Sequence, residues 1–170
     1  MKGLPRSRSR GRPEVNPIQK LRIAIDETMQ FTGITTTVVR QEVVIGDFPE
    51  GNILLLGATG YVGLTGPTSA DLSDTFAGDF SVGSAPNADT SLSGSEVDIL
   101  PATALGPATA EAIALTRAAN ATAVMLDNTD GSLEVNLNVL IDADNITNAV
   151  AVDIAVQGFV DIAYIVLGDD

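Results

Sequence analysis

The sequence predicts an all-β body, an antiparallel β-sandwich of jelly-roll-like form, and three observations predict it. Several stretches alternate apolar and polar residues with period two. Turn-forming Gly, Pro, Asn and Asp clusters separate them at short intervals, and the apolar residues are mostly Val, Ile, Leu and Ala, with five Phe, two Tyr and no Trp among 170 residues. Many short β-branched runs between frequent turns are the pattern of two packed antiparallel sheets.

In chain order, residues 1–22 read as an extended basic arm and 23–170 as the sandwich domain. The arm carries Lys2, Arg6, Arg8, Arg10, Arg12, Lys20 and Arg22 against the single acid Glu14, a net of +6, with little to bury. Such a segment repels itself and orders only on a partner. Residues 34–45 are rich in Thr and Val, as a pleated surface favours. Residues 53–56 form a short apolar run between Gly51-Asn52 and Gly57. Residues 107–119 suit a helix by their alanine content and the proline at their start, or a strand by the alternation of Ile113 and Leu115. Their continuation into Ala123-Val124-Met125-Leu126 favours the strand. Over 133–142, Leu133, Val135, Leu137, Val139 and Ile141 oppose Glu134, Asn136, Asn138 and Asp142, which predicts a half-buried strand. The same alternation places Val150, Val152, Ile154 and Val156 on one face and resumes with Val160, Ile162, Tyr164 and Val166, so Gly158 between them is expected to mark a bulge or sharp bend. Turns are expected at Gly46-Asp47, Gly66-Pro67, Pro86-Asn87-Ala88-Asp89, Asp130-Gly131 and Asp144-Asn145.

Composition narrows the function. With no Cys and no His, disulfide frameworks, thiol nucleophiles, Cys/His zinc sites and histidine bases are excluded. No catalytic residue is expected, and the chain reads as a non-enzyme. From residue 41 onward one base, Arg117, faces nineteen acids, a net of −18. An acidic body is repelled by nucleic-acid phosphates, so specific nucleic-acid recognition is not expected. No apolar run reaches the ~18–20 residues of a membrane span, and the N-terminus lacks the apolar stretch of a signal peptide, so a soluble protein made in the cytosol is expected.

Two motifs invite ligands. Ile53-Leu54-Leu55-Leu56-Gly57-Ala58-Thr59-Gly60-Tyr61-Val62-Gly63 looks like the dinucleotide fingerprint of short-chain dehydrogenase relatives, in which the glycines lead into a helix N-terminus. After Gly63 the chain instead reads Leu64-Thr65-Gly66-Pro67, which ends helices, and no Tyr-x-x-x-Lys pair exists. The glycines therefore read as bends and close backbone approaches in a β fold, with no cofactor. Asp127, Asp130, Asp142 and Asp144 invite a calcium reading, but their spacing is not that of an EF-hand loop and turn chemistry accounts for them equally well. No metal ligand is assigned.

Residues Phe48-Pro49-Glu50-Gly51, Ile53-Leu54-Leu55-Leu56-Gly57-Ala58, Phe80-Ser81-Val82-Gly83-Ser84, Val97-Asp98-Ile99-Leu100-Pro101 and Leu137-Asn138-Val139-Leu140-Ile141-Asp142-Ala143-Asp144, with the ending Leu167-Gly168-Asp169, resemble a group of small acidic proteins encoded in tailed-bacteriophage genomes, often beside the major capsid protein. The resemblance covers about residues 40–170. It implies a virion structural protein, a capsid decoration or cement protein on the outer capsid surface, commonly a homotrimer, with the major capsid protein as partner. The basic arm lies outside it, and the partner-binding role of Lys2, Arg6, Arg8, Arg10, Arg12, Lys20 and Arg22 rests on charge alone. The competing readings are a displayed carbohydrate- or host-binding accessory domain and, more remotely, a nucleotide-binding enzyme.

Overall fold

Nine strands form two antiparallel sheets in the computed structural model, which describes residues 17–34 and 36–168. They are β1 (Gln19–Thr32), β2 (Val39–Asp47), β3 (Asn52–Thr65), β4 (Gly78–Gly83), β5 (Leu100–Leu105), β6 (Ala112–Asn120), β7 (Val124–Leu126), β8 (Glu134–Ile141) and β9 (Ala151–Gly168). One sheet has the order β1-β9-β3-β6, with the short β7 added to the start of β3, and the other has the order β2-β8-β4-β5. Four pairings, β1 with β9, β2 with β8, β3 with β6 and β4 with β5, are those of one long antiparallel ribbon. Rolling that ribbon brings β9 against β3 and β8 against β4. This is the jelly roll, eight strands in two sheets. The predicted all-β sandwich is present, and the alanine-rich 107–119 stretch supplies strand β6.

The core lies between the sheets, where the inward residues of each strand meet. Phe31, Phe76 and Phe80 are fully buried among Ile53, Leu55, Leu137, Ile141 and Ile154. With Phe48 and Tyr164 the core holds five rings, so close packing falls mostly to branched aliphatics, each contributing ~1.5–3 kcal/mol on full burial.

Three expectations are corrected. The arm boundary at residue 22 moves: Lys20 and Arg22 belong to β1, paired opposite Ala163 and Asp161. Leu21 and Ile23 face inward between them, so the domain begins its pairing at Gln19 despite the local positive charge. Strand β8 is not half buried, because its polar face is covered too. Asn136 is 2% exposed and Asn138 0%, and the 84–98 loop folds over Asn138. Asn138 Oδ1 accepts the Asn87 N–H at 2.7 Å, and its Nδ2 donates to the Ala85 and Glu96 carbonyls at 3.1 and 3.2 Å. Glu96 completes the loop by accepting from the backbone N–H groups of Ala88 and Ser93. The loop also presses on β4 at Gly83, where any Cβ would collide with the Ser95 carbonyl.

Gly158 makes no bulge. The registers of β1 with β9 and of β3 with β9 run without a shift through its partners Ile25 and Val62, and the inward phase of Val156 continues into Val160. Its bareness serves close approach instead: a Cβ there would overlap the Tyr61 carbonyl oxygen. The glycines of the dinucleotide-like motif likewise lie within β3. Gly57 sits at a register irregularity with β9, and Gly63 at one with β6. A Cβ on Gly60 would come within 2.9 Å of Leu100 Cδ1 and 3.1 Å of the Phe159 carbonyl. The chain thus continues as strand where a nucleotide fingerprint needs a helix N-terminus.

Candidate interaction surface

Alternation that sends Ile23, Ile25, Ile154, Val156, Val160 and Val62 into the core sends their neighbours to the outer face of the β1-β9-β3-β6 sheet. Cross-strand pairing then assembles that face in rows. Arg22, Asp161 and Thr59 share one row, and Ala24, Phe159, Tyr61 and Arg117 the next. Arg22 donates from Nε and Nη2 to the two Asp161 oxygens at 2.6 Å each, a fork-to-fork pair. Its guanidinium carbon also lies 4.6 Å from the centre of the Phe159 ring, which in turn lies 5.2 Å from the Tyr61 ring. Beside them, where Gly57 and Ala163 have no bulk, a depression of about 510 Å³ opens between Lys20, Arg22 and Thr59.

Hydrogen bonding from Arg22 holds the Asp161 carboxyl below its ordinary range, with the guanidinium charge acting in the same direction, and the same contact raises Arg22. A carboxyl depressed on folding adds stability that is present above its unfolded pKa and is lost as pH falls through the folded value. In Arg22→Gln the Asp161 carboxyl is expected to titrate upward toward the ordinary range, read by NMR from its carboxyl carbon. The stability difference between the two proteins should vanish in acid. Both partners are solvated, so the effect is modest and shrinks with salt. A titration unmoved by the substitution would show that Arg22 does not hold Asp161.

The charge of this face sets it apart. Residues 17–168 carry four bases and nineteen acids, a net of −15. Three of the bases, Lys20, Arg22 and Arg117, stand on the outer face together with three acids, Asp26, Asp153 and Asp161, so the face is neutral while the rest of the described surface is strongly negative. The face is also apolar for solvent-facing sheet. Ile18, Leu115, Met125 and Leu167 are four of the six exposed large hydrophobic side chains among the described residues.

Of the residues expected to bind a partner, Lys20 and Arg22 are on this face, whereas Lys2, Arg6, Arg8, Arg10 and Arg12 lie outside the described residues. Sequence reasoning missed Tyr61, Phe159, Arg117 and Asp161 as a group, because strand pairing across 40–100 residues unites them. A signal was present in β9: its outward positions include Phe159, Ala163, Ile165 and Leu167, too apolar for an ordinary solvent face.

Two of the acids considered for calcium, Asp127 and Asp130, do turn chemistry. Asp127 Oδ1 accepts from the Thr129 N–H and hydroxyl, and Asp130 Oδ1 from those of Ser132 at 3.0 and 2.7 Å, which lowers the Asp130 pKa. Asp144 Oδ1 accepts from the Thr36 N–H. Among the described residues, no three acidic side chains gather into a group that could hold a metal ion. None of the described helices is long and apolar enough to cross a membrane.

No protein-family model matches the sequence, and no curated protein matches it. Among solved structures, the chain is similar to that of the infectious bursal disease virus VP2 subviral particle, with a TM-score of 0.43 and 9% identity over 86% of this chain and 32% of that one. It is similar to that of infectious bursal disease virus Gx strain with a TM-score of 0.38 and 8% identity, over 91% and 34%. The chain thus spans about a third of the length of these structures.

Proposed function

We propose that this protein is a virion structural protein, a capsid decoration protein that binds the outer surface of an assembled shell and stabilises it, and that it performs no catalysis. The observation that carries the reading is the segregation of charge. Five of the nine bases, Lys2, Arg6, Arg8, Arg10 and Arg12, precede a body that is almost wholly acidic. They join it at Ile18, 61% exposed, ahead of β1, an edge strand of its sheet. A tether that leaves from an edge is directed away from the core. Sixteen residues reach about 50 Å when extended, enough to cross a neighbouring shell subunit. Bases on the tether favour acidic protein surface. The acidic body disfavours nucleic acid as the partner.

A protein that binds only the assembled shell shifts the assembly equilibrium toward it by mass action. The jelly roll suits this role because β9, β3, β8 and β4 are each paired on both edges and packed against the other sheet, so the body resists deformation while a terminal segment makes the attachment. The fold also serves sugar-binding domains. The outer face offers Tyr61 and Phe159 as rings, but Arg22 already lies over Phe159, so no open aromatic platform favours a carbohydrate.

The test is co-sedimentation with purified shells of the neighbouring major capsid protein, using the full chain and a form lacking residues 1–13, at ~0.1 M and ~1 M salt. The full chain is expected to decorate at low salt and weaken at high salt, where screening shortens to ~3 Å. The truncated form should stay folded and bind far less. Equal occupancy by both would transfer attachment to the β body, and no binding by either would discard the decoration reading.

A further inference from the structure

We infer that the outer face of the β1-β9-β3-β6 sheet is covered by the same face of a second copy, making an isologous dimer. Two bodies of net charge −15 repel over most of their described surface and can approach closely only where that charge is absent. The outer face is that place. Its charges are also separated along the strands: Lys20, Arg22, Asp161 and Arg117 occupy the half nearer the start of β1, and Asp26 and Asp153 the other half. One half is therefore net positive and the other net negative, which makes the face complementary to itself after a two-fold rotation.

The register fixes where the axis must fall. The face runs from the level of Ile18 to that of Thr32, and its midpoint is the level of Ile25 and Gly158. An axis crossing the strands there exchanges positions equally far above and below it. Lys20, five residues above, then meets Gln30 and its cross-strand neighbour Asp153, five residues below. Tyr61 and Phe159, one residue above, meet the level of Gly63, which Leu115 packs against on one side and which holds Gln157 and Asp26 on the other. The pairing thus joins opposite charges at the rim and sets the rings of one copy over Leu115 and the amide of Gln157 in the other. β1 and β9 run the length of the face, whereas β3 and β6 stop at the level of Thr28; at about 3.3 Å per residue and about 4.8 Å between strands, the area that meets its rotated copy is roughly 670 Å² per partner, within the ~1,200–2,000 Å² total of stable interfaces. A face meeting itself closes at two copies, whereas a trimer needs two different surfaces. The pairing is independent of shell attachment, which the tether provides.

Sedimentation equilibrium of the full chain at 0.15 M salt tests this. A dimer is expected at micromolar concentration. Lys20→Glu and Asp153→Lys, each made alone, place like charges opposite one another twice per dimer and should weaken association about tenfold or more. The two together in one chain restore opposite charges and should recover affinity to within about threefold of the parent. Circular dichroism checks that each variant keeps the β fold. A monomer at ~100 µM, a trimer, or charge variants that associate like the parent would overturn the pairing. So would a double variant no better than the singles. Shell co-sedimentation of Asp153→Lys, which alters none of the bases expected to bind the shell, is expected to be unchanged, so loss of dimer and loss of decoration are read separately.

Discussion

Gly158→Ala is expected to destabilise the protein by more than about 3 kcal/mol, a large part of the ~5–15 kcal/mol that holds a domain folded. The position sits in β9 at the centre of the five-stranded sheet, opposite Ile25 on one side and Val62 on the other. Its φ of +155° is one that residues with a Cβ rarely adopt, and the added methyl would overlap the Tyr61 carbonyl oxygen. A flexible side chain could move aside, but here the obstacle is backbone held by ladders on both flanks, so β3 and β9 must separate. Gly94→Ala is the control. Gly94 also has positive φ, at +57°, but a Cβ there meets nothing within 4 Å, so its cost stays near ~1 kcal/mol. Urea midpoints of the two variants against the parent make the measurement. If Gly158→Ala unfolds at the parent's midpoint, β3 and β9 do not approach as described.

Asn138→Ala is expected to cost about 2–4 kcal/mol and, unlike the glycine change, to act through one loop. The side chain is fully buried and makes three bonds to the 84–98 loop, one accepted and two donated. Truncation leaves the Asn87 N–H and the Ala85 carbonyl without those partners in a dry site, and the penalty for such orphaned groups exceeds the net worth of the bonds. The Glu96 carbonyl keeps the Ser81 hydroxyl at 2.7 Å, which is why the loop should loosen without detaching. Hydrogen exchange should therefore accelerate at residues 84–98 well before the β1-β9-β3 ladder. Uniform acceleration over the whole chain would mean that the loop and the sheet open as one unit.

Asn138 also marks how far the fold was legible. The period-two pattern of 133–142 located β8 and its inward face, because side-chain alternation is a property of one strand. It placed Asn136 and Asn138 toward solvent, since polarity at alternate positions reads as exposure. What covers Asn138 is a loop about fifty residues away in sequence, and only tertiary structure shows it. Gly158 failed for a related reason. A glycine in a strand reads as a bulge or as a close approach, and the unbroken phase of Val156 and Val160 was the available sign of the second. The glycines of β3 were read correctly as backbone devices, because Gly66-Pro67 denied them a following helix. The interaction face was the least legible part. Lys20 and Arg22 were seen as charge, yet their neighbours Phe159, Tyr61 and Arg117 arrive by strand pairing, which no local pattern encodes.

The order of strands in the five-stranded sheet also governs how the chain can acquire its structure during synthesis. β9, the last of the described strands to be made, lies between β1 and β3, and it joins Gln19 to Tyr164 across nearly the whole described sequence. Until it emerges, β1 has no partner in its sheet, and β3 lacks the strand that separates it from β1. Both present open edges able to pair with another chain. Native closure therefore waits for β9 and is dominated by distant contacts, which places folding in the slow range of milliseconds to seconds. The low aromatic content and strong negative charge then have a kinetic use: nascent chains with open edges repel one another while they wait for their final strand.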